Sequence, residues 1–188
     1  MPKLWNDTIE AHKGAVANAI MDKAAMLASS EGLHELTMAR VAQDAGIGRA
    51  TLYKYFSDVE EILTAWHKRE IARHLRELEA VRVRHTEPLK ALEAVLISYA
   101  ASGHRHHGQA LGAVLHSMPH VHEAHRHLER FVSDIITEAV ASRALKAGAS
   151  PAELARYALA AIAASAQATS KPAVVRLVAL ILRGLGAA

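Results

Sequence analysis

The sequence predicts an all-α protein of about nine helices, because apolar residues recur at helical spacing along most of its 188 residues. Ala and Leu, which favour helices, are abundant, whereas aromatic residues, which favour strands, make up only 4% of the chain. Most Gly and Pro residues fall between the periodic segments, where helices are expected to end or begin. No segment alternates in the way a half-buried strand does, so no strand is expected.

The N-terminal third predicts three helices joined by short turns. The first ends near Gly32, and its apolar face comprises Val16, Ile20, Ala24 and Leu27. Thr37 is the expected N-cap of a short second helix through Ala45. Gly46 follows at a position that suits a left-handed backbone, and a third short helix is expected over residues 48–56.

A capping-box pattern marks the start of a long fourth helix. Ser57 is the expected cap, and Glu60, three residues later, is its expected reciprocal partner. The apolar positions of this helix include Leu63, Trp66, Ile71, Leu75 and Leu78.

The remaining sequence predicts further helices, separated by Gly and Pro. They are expected over residues 88–101, 105–116, 120–146, 151–169 and 172–184. Gly103 and Gly148 are expected to end the first and third of these. The run Ser150-Pro151-Ala152-Glu153 combines a cap, a Pro at the first helical position and a Glu at the third, which is a typical start signal.

Composition excludes several classes of protein. The absence of Cys excludes disulfide-stapled scaffolds, thiolate metal sites and Cys nucleophiles. The formal net charge of +3 is too small to indicate nucleic-acid binding by itself. The first ten residues lack the apolar core of a signal peptide, and no apolar run reaches the roughly 20 residues of a membrane span. We therefore expect a soluble cytoplasmic protein.

Residues 37–56 meet the packing requirements of a helix-turn-helix. Ala42 supplies a small residue where the second helix crosses the first, and Gly46 supplies a turn residue that tolerates positive φ. The positions that must bury apolar surface between these helices are Val41, Ala45, Ile47 and Leu52. A helix held in this way can enter the major groove of DNA.

The outer face of the second of these helices carries side chains suited to DNA. They are Arg49, Ala50, Thr51, Tyr53, Lys54 and Tyr55. Arg49 can donate two hydrogen bonds to guanine O6 and N7, which specifies a base. Thr51, Tyr53 and Lys54 can bind phosphate oxygens, which position the protein without specifying sequence. Ala50 and the Thr51 methyl group can contact thymine methyl groups.

The stretch GLHELTMARVAQDAGIGRATLYKYFSDVEEIL resembles the N-terminal domain of the TetR family of bacterial transcriptional regulators, with close resemblance over residues 15–66. The resemblance implies that the outer-face residues contact bases or phosphates, and that Thr37 lies near the DNA backbone. Two positions depart from the family pattern. Val59 stands where many members carry a phosphate-binding Lys, although the helix N-terminus can still offer N–H groups. Ala39 stands at a position that sometimes contacts a base, which places more of the specificity on Arg49 and Lys54.

The resemblance further implies a homodimer formed through the last two helices. Residues 154–168 are rich in Ala, and residues 174–182 are apolar on most faces, so a partner subunit is a natural cover. A twofold axis then predicts a near-palindromic DNA site with half-sites about 34–36 Å apart, or a multiple of this. We assign residues 10–63 to a DNA-binding domain and residues 64–188 to an effector-binding and dimerisation domain.

Members of the family usually hold a small effector in the C-terminal domain. A hydrophobic or amphipathic effector is expected here, because the candidate wall residues are mostly apolar. They are Trp66, Tyr99, Leu111, Val114, Met118, Phe131, Ile135 and Tyr157.

Histidines are concentrated in one segment. Eight of the 13 are His104, His106, His107, His116, His120, His122, His125 and His127. Imidazole suits zinc and nickel, so a metal-responsive regulator is one alternative, although a polar, solvated helix surface is the preferred interpretation.

The sequence therefore predicts a DNA-binding transcriptional regulator, a repressor released from its operator by a small effector. The alternatives are an architectural or partner-recruiting DNA-binding factor without an effector, and the metal-responsive regulator. No catalytic residues, cofactor or bound metal are expected, because the chain shows no nucleophile triad, phosphate loop or paired carboxylates. If catalysis occurred, the histidines between His116 and His127 would be the place to look.

Overall fold

The computed structural model describes residues 2–106, 119–146, 148–163 and 170–187. Within these ranges the protein is all-α, as predicted from the sequence, and its only β-pairing is an isolated bridge between Leu145 and Ala187. The helices are α1 (Pro2–Ser30), α2 (Met38–Asp44), α3 (Arg49–Leu52), α4 (Val59–Val83), α5 (Pro88–His106), α6 (Pro119–Ala141), α7 (Pro151–Ala163) and α8 (Lys171–Gly184). None of these helices has the length and apolar character needed to cross a bilayer.

The described residues divide into two compact units within α4. The N-terminal unit ends at Glu70 and the C-terminal unit begins at Ile71. In the N-terminal unit, α2 packs against both α1 and α3, and a short 3-10 helix, Leu33–Glu35, packs against α1. The buried core of this unit includes Ile20, Ala24, Leu27, Leu36, Val41, Leu52, Phe56 and Ile62.

The C-terminal unit is a helical bundle. Helix α6 packs against α5 and α7, and α8 packs against α5 and α7. The centre of the bundle is aliphatic, with fully buried side chains that include Leu92, Leu96, Ile135, Ile136 and Ile162.

The residues after α8 pair with the residues after α6 at one end of this bundle. The N–H of Lys146 donates to the Gly186 carbonyl at 3.1 Å, beside the Leu145–Ala187 bridge. A Cβ atom on Gly186 would lie 2.4 Å from the Lys146 carbonyl oxygen, and its φ is +94°. Only Gly fits there, so this contact ties the C-terminal segment to the segment after α6.

The predicted start of α4 is wrong by one residue. Asp58, not Ser57, caps the helix, because the Glu61 N–H donates to Asp58 Oδ1 at 2.8 Å. Glu61, not Glu60, closes the box: its carboxylate accepts from both the N–H and the hydroxyl of Ser57. The predicted helix start at Ser150 is confirmed, and it forms a capping box: the Ser150 N–H donates to Glu153 Oε2 at 2.9 Å and the Ser150 hydroxyl accepts from the Glu153 N–H.

Two predicted helix ends are also wrong. Gly103 does not stop α5, which continues to His106, so the start of the predicted 105–116 helix belongs to α5 and its remainder lies outside the described residues. Helix α6 ends at Ala141 rather than near Gly148. Arg143 takes the left-handed conformation there, with φ of 61°, and the buried Leu145 follows. The described residues hold eight α-helices where about nine were predicted.

Gly46→Ala and Gly14→Ala form a matched pair that tests the turn before α3. An added Cβ meets no atom within 4 Å at either position, but only Gly46 has a positive φ, +67°. We expect Gly46→Ala to lower the free energy of unfolding by roughly 1–2 kcal/mol, because a left-handed backbone strains Ala. Gly14→Ala, inside α1, should not lower it, since Ala favours helices. Denaturant unfolding at fixed protein concentration measures both, and equal losses would contradict the turn geometry.

Candidate nucleic-acid interface

Helix α3 belongs to the N-terminal unit and packs within it through a few buried residues. Leu52 and Val41 are completely buried and Ala42 is 2% exposed, so α3 sits close against α2 at a small residue. The Gly46 turn between them is closed by the Ile47 N–H, which donates to the Ala42 carbonyl at 3.0 Å. These contacts confirm the packing that the sequence predicts for Ala42, Gly46 and Leu52.

Because Leu52 is the buried anchor of α3, the residues around it point outward. Arg49, Ala50, Thr51, Tyr53 and Lys54 are exposed, while Tyr55 is half-buried. The predicted outer face is therefore on the surface.

The regular helix in this segment is shorter than the predicted 48–56. Helix α3 ends at Leu52, and Tyr53, Lys54 and Tyr55 form the tight turns that follow it. The N–H groups of Lys54 and Tyr55 donate three residues back, to Thr51 and Leu52, rather than four. Arg49, Ala50 and Thr51 thus lie on one turn of α-helix, and Tyr53, Lys54 and Tyr55 lie on a tighter extension of it.

The positive charges of this surface differ in their pairing. Arg40 on α2 is held by Glu31 at 2.9 Å and by Asp44 at 3.4 Å. Across the described ranges, neither Arg49 nor Lys54 has a carboxylate within 4.0 Å. Within the described ranges Arg49 and Lys54 are therefore available to pair with an anionic partner, whereas Arg40 already pairs with two carboxylates of the protein.

Thr37 and the start of α4 border this surface. The Thr37 hydroxyl accepts from the Arg40 N–H at 3.2 Å, which caps α2 and leaves its own hydrogen to donate. At the start of α4, hydrogen bonds from the Glu61 N–H, the Ser57 hydroxyl and the Glu60 N–H lower the pKa of Asp58. Asp58 is then ionised at neutral pH, and the cap stability that it contributes is lost only as pH falls through this lowered pKa.

The Asp58 cap corrects one expectation about phosphate binding. The N–H groups at the start of α4 were expected to remain available, but those of Glu60 and Glu61 bond to Asp58. With a carboxylate in this place, the helix N-terminus favours no further anion.

The candidate effector-wall residues are distributed over both units. Trp66 belongs to the N-terminal unit, where it stacks on His67. In the C-terminal unit, Ile135 is buried in the core, and Tyr99 and Phe131 pack against that core. Burial raises the pKa of the Tyr99 hydroxyl, so this group is neutral. Tyr157 is 49% exposed, and the other three, Leu111, Val114 and Met118, lie outside the described residues.

The described histidines of the rich segment lie along α6. His122, His125 and His127 are exposed, and His125 Nε2 lies 3.3 Å from Glu129 Oε1. No group of three side chains that could hold a metal ion occurs among the described residues. His107 and His116 lie outside them, and the structure describes the backbone but not the side chains of His104 and His106.

The sequence does not predict one feature of this surface, a groove between two of its helices. A groove of about 450 Å³ opens between α2 and α3, with Ala39, Gln43 and Arg49 among its lining residues. The four-residue spacing of Ala39 and Gln43, which places them on one face of α2, is the signal that sequence alone offers.

Comparison with known proteins agrees with this geometry. Residues 20–66 match the family model described as bacterial regulatory proteins, tetR family, which includes the whole helix-turn-helix. The TetR resemblance predicted from the sequence is thus confirmed. No curated protein sequence matches the chain.

Solved structures of similar fold cover most of the chain. A TetR/AcrR-family transcriptional regulator from Thermobifida fusca has 18% identity and a TM-score of 0.78, covering 89% of this chain and 97% of its own. FadR from Bacillus subtilis, in complex with stearoyl-CoA, has 18% identity and a TM-score of 0.67, covering 89% and 96%. FadR from Thermus thermophilus, in complex with lauroyl-CoA, has 19% identity and a TM-score of 0.57, covering 90% and 92%. At these identities the likeness is one of fold.

Substitution of the two unpaired cations separates base contacts from phosphate contacts. On a duplex recovered by selection, Arg49→Ala should cost roughly 1–3 kcal/mol and relax specificity at one base pair. Lys54→Ala should weaken all sequences alike and lower the slope of log affinity against log salt by about 1 per bound subunit. Gel shifts over a salt series measure both; affinities equal to wild type for both variants would refute the assignment.

Proposed function

We propose that this chain is a sequence-specific transcriptional regulator, a repressor that a small hydrophobic effector releases from its operator. The match of residues 20–66 to the family model of bacterial regulatory proteins, tetR family, supports this proposal. The observation that carries the proposal is the pairing of a buried Leu52 with an unpaired, exposed Arg49 on the same turn of α3. A rigid anchor and a free guanidinium are what major-groove contact with guanine requires.

We place the boundary between two functional domains after residue 63, within α4 and N-terminal to the boundary between the compact units at Glu70. The DNA-binding domain comprises residues 10–63, and residues 64–188 bind the effector and form the dimer. The DNA-contacting residues are Thr37, Arg49, Ala50, Thr51, Tyr53, Lys54 and Tyr55.

Exposed apolar residues on α7 and α8 support a homodimer through the last two helices. In the single chain, Leu180 is 54% and Val175 38% exposed, although neighbouring positions of α8 are buried. Tyr157 on α7 borders α8 at Gly184, where a Cβ atom would lie 2.6 Å from the Tyr157 hydroxyl. Apolar side chains beside small residues favour close packing against an identical surface related by a twofold axis.

The proposed effector is hydrophobic or amphipathic. Two proteins of similar fold, the FadR proteins above, are complexes with stearoyl-CoA and lauroyl-CoA. Tyr99, Phe131 and Ile135 adjoin one aliphatic core in the C-terminal unit, so an acyl chain could bind among them at the expense of core contacts. Release from DNA then requires only that the effector bind more tightly to the state in which the two recognition surfaces do not fit one duplex.

Selection from a random DNA pool tests DNA recognition and dimerisation together. The wild-type protein should enrich a near-palindrome whose half-sites are about 34–36 Å apart, or a multiple of this. Leu180→Asp, which places a charge in the proposed interface, should sediment as a monomer and bind this duplex far more weakly. Glu123→Asp at an exposed position of α6, outside the proposed interface, is the control and should leave binding unaltered. Recovery of no enriched sequence would refute the proposal.

Acyl-CoA addition tests the effector class. Lauroyl-CoA or stearoyl-CoA should lower the affinity for the selected duplex at least fivefold, which is the lower end of ordinary allosteric coupling. Free coenzyme A, which lacks the acyl chain, is the control and should have no effect. Fluorescence anisotropy of the labelled duplex measures the change, and an unchanged affinity with both acyl chains would exclude acyl-CoA as the effector.

A further inference from the structure

The groove between α2 and α3 is continuous with the proposed DNA-contacting surface. Arg49 and Thr37, both assigned to DNA, line the groove as well as the outer face. The groove has this volume because Ala39, half-way along its α2 wall, ends at Cβ. A base-pair edge that meets Arg49 in the major groove therefore lies beside an unfilled space on the protein.

The chemistry of the groove is divided between an apolar floor and a polar rim. Ala42 is buried, and Ala39 and Ile47 are half-buried, so the latter two expose part of their apolar surface to the groove. Gln43 is exposed at the rim and bears an amide. Arg40 also borders the groove, but its guanidinium is turned to Glu31 and Asp44.

This division matches one base pair. In the major groove, a T·A pair presents the thymine methyl group, an apolar surface, next to the adenine N6 and N7 atoms that a Gln amide can bond. Cytosine carries only a hydrogen at C5 in place of the methyl group, and it presents an N4 amino donor where thymine presents the O4 acceptor, so it offers the apolar floor no methyl group to bury. The groove therefore favours thymine over cytosine at the position it meets.

We propose that the groove receives the methyl group of a thymine adjacent to the guanine that Arg49 contacts. Ala39 and Ile47 then select thymine by apolar contact, in addition to the specificity placed on Arg49 and Lys54. The proposal rests on the proposed function, since it concerns the operator of the same regulator. It adds a contact made by α2 and by the turn, outside the outer face of α3.

Deoxyuridine substitution isolates the methyl group, because uracil differs from thymine only in lacking it. Each thymine of the selected half-site is replaced in turn by deoxyuridine, and affinity is measured by gel shift. One position next to the Arg49-dependent guanine should lose about fourfold per half-site, the factor expected for one buried methyl group. The Arg49→Ala variant identifies that guanine independently.

Two substitutions connect this penalty to the groove. Ala39→Leu fills the groove from the exposed side of α2, and should abolish the deoxyuridine penalty at that position. Ile47→Val, a smaller change that keeps the core volume nearly intact, should reduce it. Lys54→Ala is the control: it lowers overall affinity but should keep the full penalty. Circular dichroism and binding to random-sequence DNA verify that the variants are folded.

The outcomes distinguish the two proposals. The groove assignment is wrong if a duplex is selected but no thymine beside the guanine shows a penalty. It is also wrong if the penalty survives both Ala39→Leu and Ile47→Val. In either case the proposed function as a DNA-binding regulator is unaffected. If no sequence is selected at all, the proposed function itself fails.

Discussion

The close crossing of α2 and α3 is the constraint on which the DNA-facing surface depends. At the crossing, the side chain of Ala42 is small enough to let Leu52 reach the core, where it is completely buried. A larger residue at position 42 would push α3 outward and rotate Arg49 away from its present direction, since packed interiors leave no spare volume. The direction of every side chain on the outer face thus follows from one small residue and one turn that requires Gly46.

Ion pairing distinguishes the cationic side chains that bond within the protein from those that are available to a binding partner. Arg40 bridges Glu31 and Asp44, and Arg69 on α4 bonds Asn18 and Asp22 of α1, so these guanidinium groups hold helices together. Arg49 and Lys54 belong to the same unit and stay outside such pairs in the described ranges. Exposed ion pairs contribute little stability individually. The larger effect of these ion pairs is that they leave Arg49 and Lys54, rather than Arg40 and Arg69, available to a negatively charged ligand.

The apolar residues of α8 form two groups, one buried and one exposed. Val174, Val178, Ile181 and Leu182 of α8 are buried within the bundle, whereas Val175 and Leu180 of the same helix are exposed. Periodicity shows that this helix is apolar on most faces but does not say which face the chain covers itself. Among the described residues, the packing of α5 and α7 on α8 identifies the covered positions as those that are buried, such as Val174 and Val178.

The sequence by itself determined the all-α fold, the helix-turn-helix and its outer face, because those depend on local signals: helical periodicity, a Gly where φ is positive, and a small residue at a fixed spacing. It placed the cap of α4 at Ser57 instead of Asp58, because adjacent residues that can both cap compete, and the reach of Glu61 decides between them. Only the tertiary structure ended α6 at Ala141, where burial of Leu145 and its bridge to Ala187 outweigh the signal at Gly148. It alone revealed the groove beside Ala39, since a space between two helices depends on how both are oriented, and no residue pattern within either helix specifies that orientation.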